Sequence, residues 1–559
     1  MNMNNTTQMD STPDRALASF PTFRKLVGWI FSGRMVRTCV FGLVCLATLI
    51  GLFYAEEDWR GSWAWNRFKH QFEAQGEMFG WQAFVPPPVP DDQNFAMTPL
   101  LSPILDYDLQ GGLDHNQIRW RDSNGVNRLF QGLTLQHVGA PTNPPAISGQ
   151  WKLGQKLDLA VWQGYLRWTP PPSKGESQTS PALTNRFPRA AQPQAPAADV
   201  LLALSRFDSE LTELHEASAR PSARFPVHYG GGWDTHLPHL AIMKKVSQIA
   251  TLRAVAELEA GHSEPALQDV QLSFHAAEAL RTEPFYISHL VRVAIIDLSL
   301  QSVWEGLAAH RWSSHQLDSL TAPLKKLDFL ADYARVVRSE KNLGGLTSTF
   351  CDRERRKGLL ADLGGGQGFP PWFLLSVDYY PKGWFYLNDL TAARFYQDKA
   401  LPLINPAARR AYPTLARAAI REFEDAPVRP GNSILKCFGL WIAPRQFARG
   451  QTSVNLARIA CALERSWQAQ HRYPDTLAEL VPAYLDPLPA DIITGQPLHY
   501  RRTEDGQFIL YSVGWDETDE GGRFATVSER PPGQPGLWSW MMDTDEQGDW
   551  PWRYPTESK

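Results

Sequence analysis

Four side chains with ligating chemistry fall close together at His228, Asp234, His236 and His239, inside the stretch HYGGGWDTHLPH. Neutral imidazoles and a carboxylate are the donor types of a zinc shell, and a metal-dependent hydrolase would use one. Gly230, Gly231 and Gly232 permit a turn that folds His228 back onto the later pair. The spacing matches no zinc signature of high specificity, such as HExxH. The competing reading, which the sequence favours, is a loop leading into a helix, with His239 near the helix start. Gly364, Gly365, Gly366 and Gly368 form a second glycine-rich stretch. It lacks the Gly-Lys-Ser/Thr that carries phosphate and magnesium in a P-loop, so it reads as a connector. No GxSxG nucleophile elbow occurs, and no cysteine has a nearby His to mark an activated thiolate. Glu257, Glu278, Arg292 and Glu305 fall among apolar helical positions. Interhelix ion pairs are expected there, with a tuned catalytic carboxylate as the alternative. Trp538, Trp540, Trp550 and Trp552 read more readily as core than as a stacking surface for carbohydrate or a partner.

Composition bounds what such residues can serve. The 559 residues are 43% hydrophobic and 20% charged, an ordinary globular balance that permits a large core. At about 150 residues per domain, three or four domains are expected. Lys and Arg total 55 against 59 Asp and Glu, and this near-neutrality argues against a dedicated nucleic-acid binder. Five cysteines are too few for a disulfide scaffold, whereas 21 tryptophans are unusually many.

The strongest patterned signal is residues 38–55, TCVFGLVCLATLIGLFYA, which hold no charge. At ~1.5 Å per residue they span about 27 Å, close to the hydrocarbon thickness of a bilayer. Arg24, Lys25, Arg34 and Arg37 precede the run, and Glu56, Glu57 and Asp58 follow it. The positive-inside bias places the N-terminus in the cytoplasm and the bulk of the chain outside, with Trp29, Tyr54 and Trp59 as interfacial anchors. The run is longer than a signal-peptide core, and Phe53, Tyr54 and Ala55 make a poor cleavage site. Cys39 and Cys45 lie within it, leaving Cys351, Cys437 and Cys461 for the exported part.

The elements after the span are mostly helical. Trp65, Phe68, Phe72 and Phe79 predict a juxtamembrane helix, stopped by the prolines at 86, 87, 88 and 90. Leu133 and Leu135 alternate with polar neighbours, as in a strand. Asp158 is placed to cap a short helix carrying Leu159, Trp162 and Leu166. Residues 169–197 are rich in Pro, Ser, Ala and Gln and read as an exposed linker. Asp199 is then read as the cap of a helix, and Pro238 opens another. Gly261 stops that helix, Ser263 restarts the chain, and residues 287–307 form a further helix. Ser313 and Gln316 fit a capping box. These are hairpins of helices without a clean 34-residue repeat. More helix is expected over 388–424 and 453–470. Strands at 497–502 and 507–513 flank a turn marked by Asp505 and Gly506.

The segment from Ser453 onward resembles the globular part of the major pseudopilin of type II secretion. Matching features are Arg472, Tyr473 and Pro474 at the helix end, then Leu477 to Leu480. Leu488, Pro489, Asp491, Gly495, Gln496 and Pro497 follow, and then Ser512, Val513, Gly514, Asp516, Gly521 and Gly522. About a fifth of the chain is covered. The apolar segment carries neither the Gly-Phe cleavage motif nor the early Glu of pseudopilins, so the tail resembles a borrowed module, not a pilus subunit. The resemblance implies calcium in the loop after the last strand, with Asp516, Asp519 and Asp549 as ligands. Glu517 and Glu520 add local oxygens of the kind calcium needs. An insertion of about one residue relative to the family shifts these carboxylates, and a solvated acidic turn is the competing reading. The helical stretch, through its ISHLVR, HRW and GWFY segments, resembles a family of bacterial single-pass membrane proteins to which no activity attaches.

The expected fold is mainly α, built of helical hairpins outside one N-terminal transmembrane helix, with a small C-terminal α+β pseudopilin-like module. The expected division is 1–34 cytoplasmic tail, 35–55 anchor, 56–168 juxtamembrane helix and mixed region, 169–197 linker, 198–450 helical domain and 451–559 module. The expected function is a membrane-anchored scaffold in the cell envelope that binds a protein partner, linked to secretion or envelope assembly. The alternative is a metal-dependent envelope hydrolase using the loop over 228–239.

Overall fold

The computed structural model describes residues 33–109, 118–137, 143–147, 150–168, 187–229, 235–343, 356, 373, 376–438, 442–524, 526–527 and 546–555. The N-terminal tail before Gly33, the linker over 169–186, the glycine-rich stretch at 364–368, Cys351, Trp538 and Trp540 lie outside them.

No proline interrupts the apolar run or the aromatic segment after it, so both form one helix, Gly33–Glu73 (α1), of 41 residues. At ~1.5 Å per residue it is about 60 Å long. The expected anchor and juxtamembrane helix are therefore continuous. An 18-residue window of α1 has mean hydropathy 2.2 and none of it is buried, so α1 is long and apolar enough to cross a membrane. Its second half does touch the body: Glu57, Gly61 and Phe68 are buried. They face Lys382–Arg394 (α11). Asp58 accepts from the Gly383 backbone N–H at 2.8 Å, Glu57 accepts from the Trp384 indole at 2.9 Å, and Tyr54 donates to the Tyr379 carbonyl at 2.5 Å. Gly61 and Gly383 meet backbone to backbone. A Cβ on either would overlap main-chain atoms of the other helix. Phe68 joins Leu390 and Ala393 in a small separate cluster, with Phe79 closing over its ring after the helix has ended.

The helical body follows the predicted starts and stops closely. Pro238–Ala260 (α6) ends at Gly261, whose φ of 88° is the left-handed cap that favours glycine. Ser263–Ala279 (α7) then returns along it, and Tyr286–Ala308 (α8) packs on both. Ser313 and Gln316 make both bonds of the capping box that starts Ser314–Lys326 (α9). Phe329–Leu343 (α10) follows, and Pro444–Gln470 (α14) lies against α8, α9 and α10. Earlier in the chain, Asp158 caps Leu159–Arg167 (α3) through Ala160 and Val161. The other helices are Ser123–Gly132 (α2), Pro196–Leu204 (α4), Asp208–Ala217 (α5), Pro413–Asp425 (α12) and Ser433–Phe438 (α13).

Strands are few. Tyr107–Leu109 (β1) pairs with Ile118–Trp120 (β2), and Ile404–Asn405 (β3) with Arg410–Ala411 (β4). His499–Arg502 (β5), Phe508–Ser512 (β6) and Trp550–Arg553 (β9) form an antiparallel sheet with β6 in the centre. The predicted hairpin is present, with Gly506 at φ 81° in its turn. Thr526–Val527 (β7) pairs with Glu546–Gln547 (β8). Trp550 and Trp552 are buried on β9, as the core reading of these tryptophans expects. One contiguous core runs from Phe95 to Tyr554 and includes both the helices and the C-terminal sheet.

Four expectations change. Leu133 and Leu135 are buried but lie in irregular chain after α2, because the pairing partner for β1 is β2. Asp199 does not cap α4, which begins at Pro196. Its buried carboxylate instead accepts from Gln163, Arg167 and the Gln194 backbone. The described end of the Pro/Ser-rich segment is not free chain either: Phe187 is 3% exposed and rests on His137 and Phe207. The segment over 388–424 is helical at both ends, but a π-turn at Phe395–Ala400 and the β3–β4 pair break it.

The glycine crossing reverses an ordinary preference. Alanine in an exposed helix is favoured over glycine by roughly 0.5–1 kcal/mol, and Gly42 has open space around it. Gly42→Ala is expected to leave the melt of the detergent-solubilised protein unchanged or raised. Gly383→Ala is expected to cost about 1–3 kcal/mol through backbone overlap, and to speed proteolysis between α1 and the body. Equal melts for the two variants would show that the crossing does not hold the body.

Candidate functional site

The histidine loop separates in the structure. His228 and His236 flank the buried ring of Tyr107, at 5.0 and 6.5 Å between ring centroids. His239 begins α6, turns inward and is wholly buried. It stacks on Phe225 at 4.1 Å and pairs with Glu283 at 2.6 Å. Asp234 lies outside the described residues. Among the described residues no group of three His, Cys, Asp or Glu is gathered for a metal. His228 and His236 thus meet at a tyrosine, and the third imidazole belongs to the core.

That core holds a polar network which the sequence announced only in part. Glu283 takes His239 on one oxygen and the Ser288 hydroxyl on the other. The carboxylate stands between hydroxyl and imidazole, so no imidazole faces Ser288, as it would in a Ser-His-Asp arrangement. His289 bonds the Glu283 carbonyl at 2.9 Å. Burial pushes the His289 imidazole down to about 3, with Arg335 and Arg292 adding to the effect, so it is neutral at ordinary pH. Arg292 donates to Asp332, to Glu278 at 3.1 Å and to the Ala277 carbonyl at 3.2 Å. Burial raises Asp332, against the pull of Arg292 and Arg335. Glu278 and Arg292 therefore form the interhelix ion pair expected of them. No local pattern points to Glu283 or Asp332, which become partners only when α6, α8 and α10 meet.

Glu305 is the one flagged carboxylate with a strongly perturbed environment. Burial pushes it up to about 7, against hydrogen bonds from Gln301 at 2.8 Å and the Leu157 backbone at 2.9 Å. Those donors place it in a structural role, holding the chain after Trp151 onto α8. Cys437 and Cys461 are pushed up to about 12 by burial, which makes them inert thiols.

The acidic tail loop is built by its own backbone. Asp516 accepts from the Thr518 and Gly548 N–H groups, and Asp549 accepts from Glu520 and Gly522. Asp519 turns to Gly521 and the Tyr511 hydroxyl, beside His499 at 3.5 Å. Asp516, Asp519 and Asp549 are therefore not gathered as calcium ligands. Burial raises Glu520 and Asp549, and the neighbouring carboxylates Asp516 and Asp549 add to the rise at Glu520. Asp549 Oδ1 and Glu520 Oε2 are buried without a hydrogen-bond partner.

A concave feature lies elsewhere, a groove of about 400 Å³ between α6, α8 and α14. Its floor is Ile287, Leu290, Val291 and Ala294, half-buried residues at helical spacing on α8. Gly450 of α14 lies close against Val293, so the two helices approach tightly below the opening. Lys244, Gln446, Arg449 and the Lys152–Asp297 pair, 2.5 Å apart, stand on the rim. Lys244 is exposed, and Arg449 lies over the Phe524 ring at 5.4 Å. The sequence showed α8 as apolar throughout. It did not show which stripe stays uncovered, because core and groove residues share one period.

No family model, curated protein or solved structure matches the chain.

Two outcomes test the site. The Glu305 carboxyl has a folded pKa of about 7 against an ordinary 4.5. The folded state therefore holds the extra proton between those values, and its contribution to stability is lost as pH rises through 7. Glu305→Gln keeps the acceptor oxygen and removes the ionisation. Its melting temperature relative to wild type is expected to be higher at pH 8 than at pH 5, by up to a difference on the order of 3 kcal/mol. A pH-independent difference would place Glu305 in a hydrated environment. For the tail loop, calcium and chelator are expected to give superimposable melts. A calcium-dependent rise would show that the carboxylates regroup around the ion.

Proposed function

We propose that the chain is a single-pass anchored scaffold of the cytoplasmic membrane. Its N-terminus is cytoplasmic and its helical body stands on the exported side, where it binds a partner protein. The charge flanks of α1 support this orientation, with Arg34 and Arg37 before the span and Glu56, Glu57 and Asp58 after it. The C-terminal sheet belongs to the proposal as a pseudopilin-like module, supported by the order of helix, hairpin and returning strand.

The observation that carries partner binding is the groove on α8. Four half-buried apolar residues at positions i, i+3, i+4 and i+7 suit an apolar helix or extended segment laid against them. The basic rim selects a partner with carboxylates beside its apolar stretch, since Asp297 is already taken by Lys152. No catalytic constellation competes for the assignment among the described residues. Ser288, Glu283 and His239 are sealed from solvent, and His228 and His236 close on a tyrosine.

A photo-crosslinking residue at Val291, in the membrane-inserted protein, tests this. One discrete adduct is expected, with an envelope protein whose contact peptide is apolar with flanking Asp or Glu. Lys244→Glu is expected to reduce that adduct severalfold. No adduct from Leu290, Val291 or Ala294, or adducts only with lipid, would overturn partner binding at the groove.

A further inference from the structure

We propose that the turn leading into α11, Val377 to Trp384, rests in the headgroup region of the bilayer, so that the exported body lies against the membrane instead of standing clear of it. The proposal rests on α1 being a transmembrane helix.

The argument is one of depth. The charge-free run ends at Ala55. A hydrocarbon core of ~30 Å takes about 20 helical residues, so the boundary falls near Phe53 to Ala55. The structure ties the turn to this level. The Tyr54 hydroxyl donates to the Tyr379 carbonyl at 2.5 Å. The Phe53 and Trp384 rings meet edge to face at 6.4 Å. In a helix, side chains lean toward the N-terminus, which for α1 is the membrane side. A carbonyl reached by the Tyr54 hydroxyl therefore lies no farther from the bilayer than the Tyr54 backbone does.

What the turn displays suits that depth. Tyr379 is 73% exposed, and Tyr380 and Trp384 are half-buried beside it, with their rings 4.8 Å apart. Tyrosine and tryptophan favour the interface because a flat apolar body and a polar tip are both accommodated there. Lys382 is exposed in the same turn and is placed to meet lipid phosphate. The two contacts hold the turn to the anchor along one side, while the Tyr379 side chain faces outward. In water that side chain would be an exposed aromatic with no partner. At the bilayer surface it has lipid.

The test uses the full chain, with its five native cysteines replaced by alanine, in vesicles of phosphatidylcholine and phosphatidylglycerol. An environment-sensitive fluorophore is attached singly at Tyr379→Cys, at Leu46→Cys within the span, or at Val161→Cys, an exposed position on α3. Lipids carrying a quencher at a shallow or a deep acyl position are then compared. The Leu46 probe is expected to lose emission to the deep quencher, the Tyr379 probe to the shallow one, and the Val161 probe to neither. A Tyr379 probe that behaves like the Val161 probe, with Leu46 still quenched, overturns the contact and leaves the anchor standing. An unquenched Leu46 probe overturns both.

Discussion

Arg292 is wholly withdrawn from water, and the helical body is arranged around satisfying it. Its guanidinium reaches Asp332 on α10, Glu278 on α7 and the Ala277 carbonyl, and lies over the Phe329 ring. Removing one partner from such a buried pair typically costs ~3–5 kcal/mol, because the other charge is stranded. Three helices must therefore keep their relative positions for the charge to be tolerated at all. The Glu283, His239 and Ser288 contacts extend the constraint to the start of α6. Hydrophobic burial supplies the driving force here, but it is non-directional. The ion pairs and hydrogen bonds specify which packing of these helices is accepted.

The same helix that carries Arg292 also gathers the two ends of the folded body. Asp297 accepts from the Trp151 indole, Gln301 and Glu305 accept from the Trp151 and Leu157 backbones, and Trp304 donates to the Arg553 carbonyl. The segment before the linker and the last strand thus meet on α8. This explains why the C-terminal sheet shares one core with α8, although the chain passes through several other helices between them. Nearer its N-terminus, the same face of α8 is left with its apolar stripe partly open beside Lys152 and Asp297, and the groove is the result.

Attachment to the anchor works by a different principle. The body meets α1 through two glycines, two carboxylates that accept from the start of α11, and an aromatic cluster. Close backbone approach leaves little room for sliding. Because α1 is one unbroken helix, any tilt of its apolar half is passed to the body directly. A flexible linker would separate the two motions. A body held in this way presents its groove at a set distance and direction from α1.

Local features were legible from the sequence alone. The apolar run, the Gly261 stop, the Ser313 box, the Asp158 cap and the turn at Asp505 and Gly506 each depend on a few adjacent residues. Each appears where its chemistry requires. What failed depended on partners far along the chain. Asp199 looked like a cap, yet its carboxylate satisfies Arg167 and Gln163 of another helix. Leu133 and Leu135 alternated as in a strand, yet no strand was available to pair with them. His239 reads foremost as a residue at a helix start and it stands there, but its partner Glu283 is not legible. The acidic tail reads foremost as a solvated turn, and the backbone N–H groups its carboxylates accept from are set by the fold of the loop. Residue type and period determine which elements form and which faces are apolar. Only the tertiary structure decides which buried polar group finds which partner, and which stripe of an apolar helix is left open, because those outcomes depend on distances between segments that local sequence does not encode.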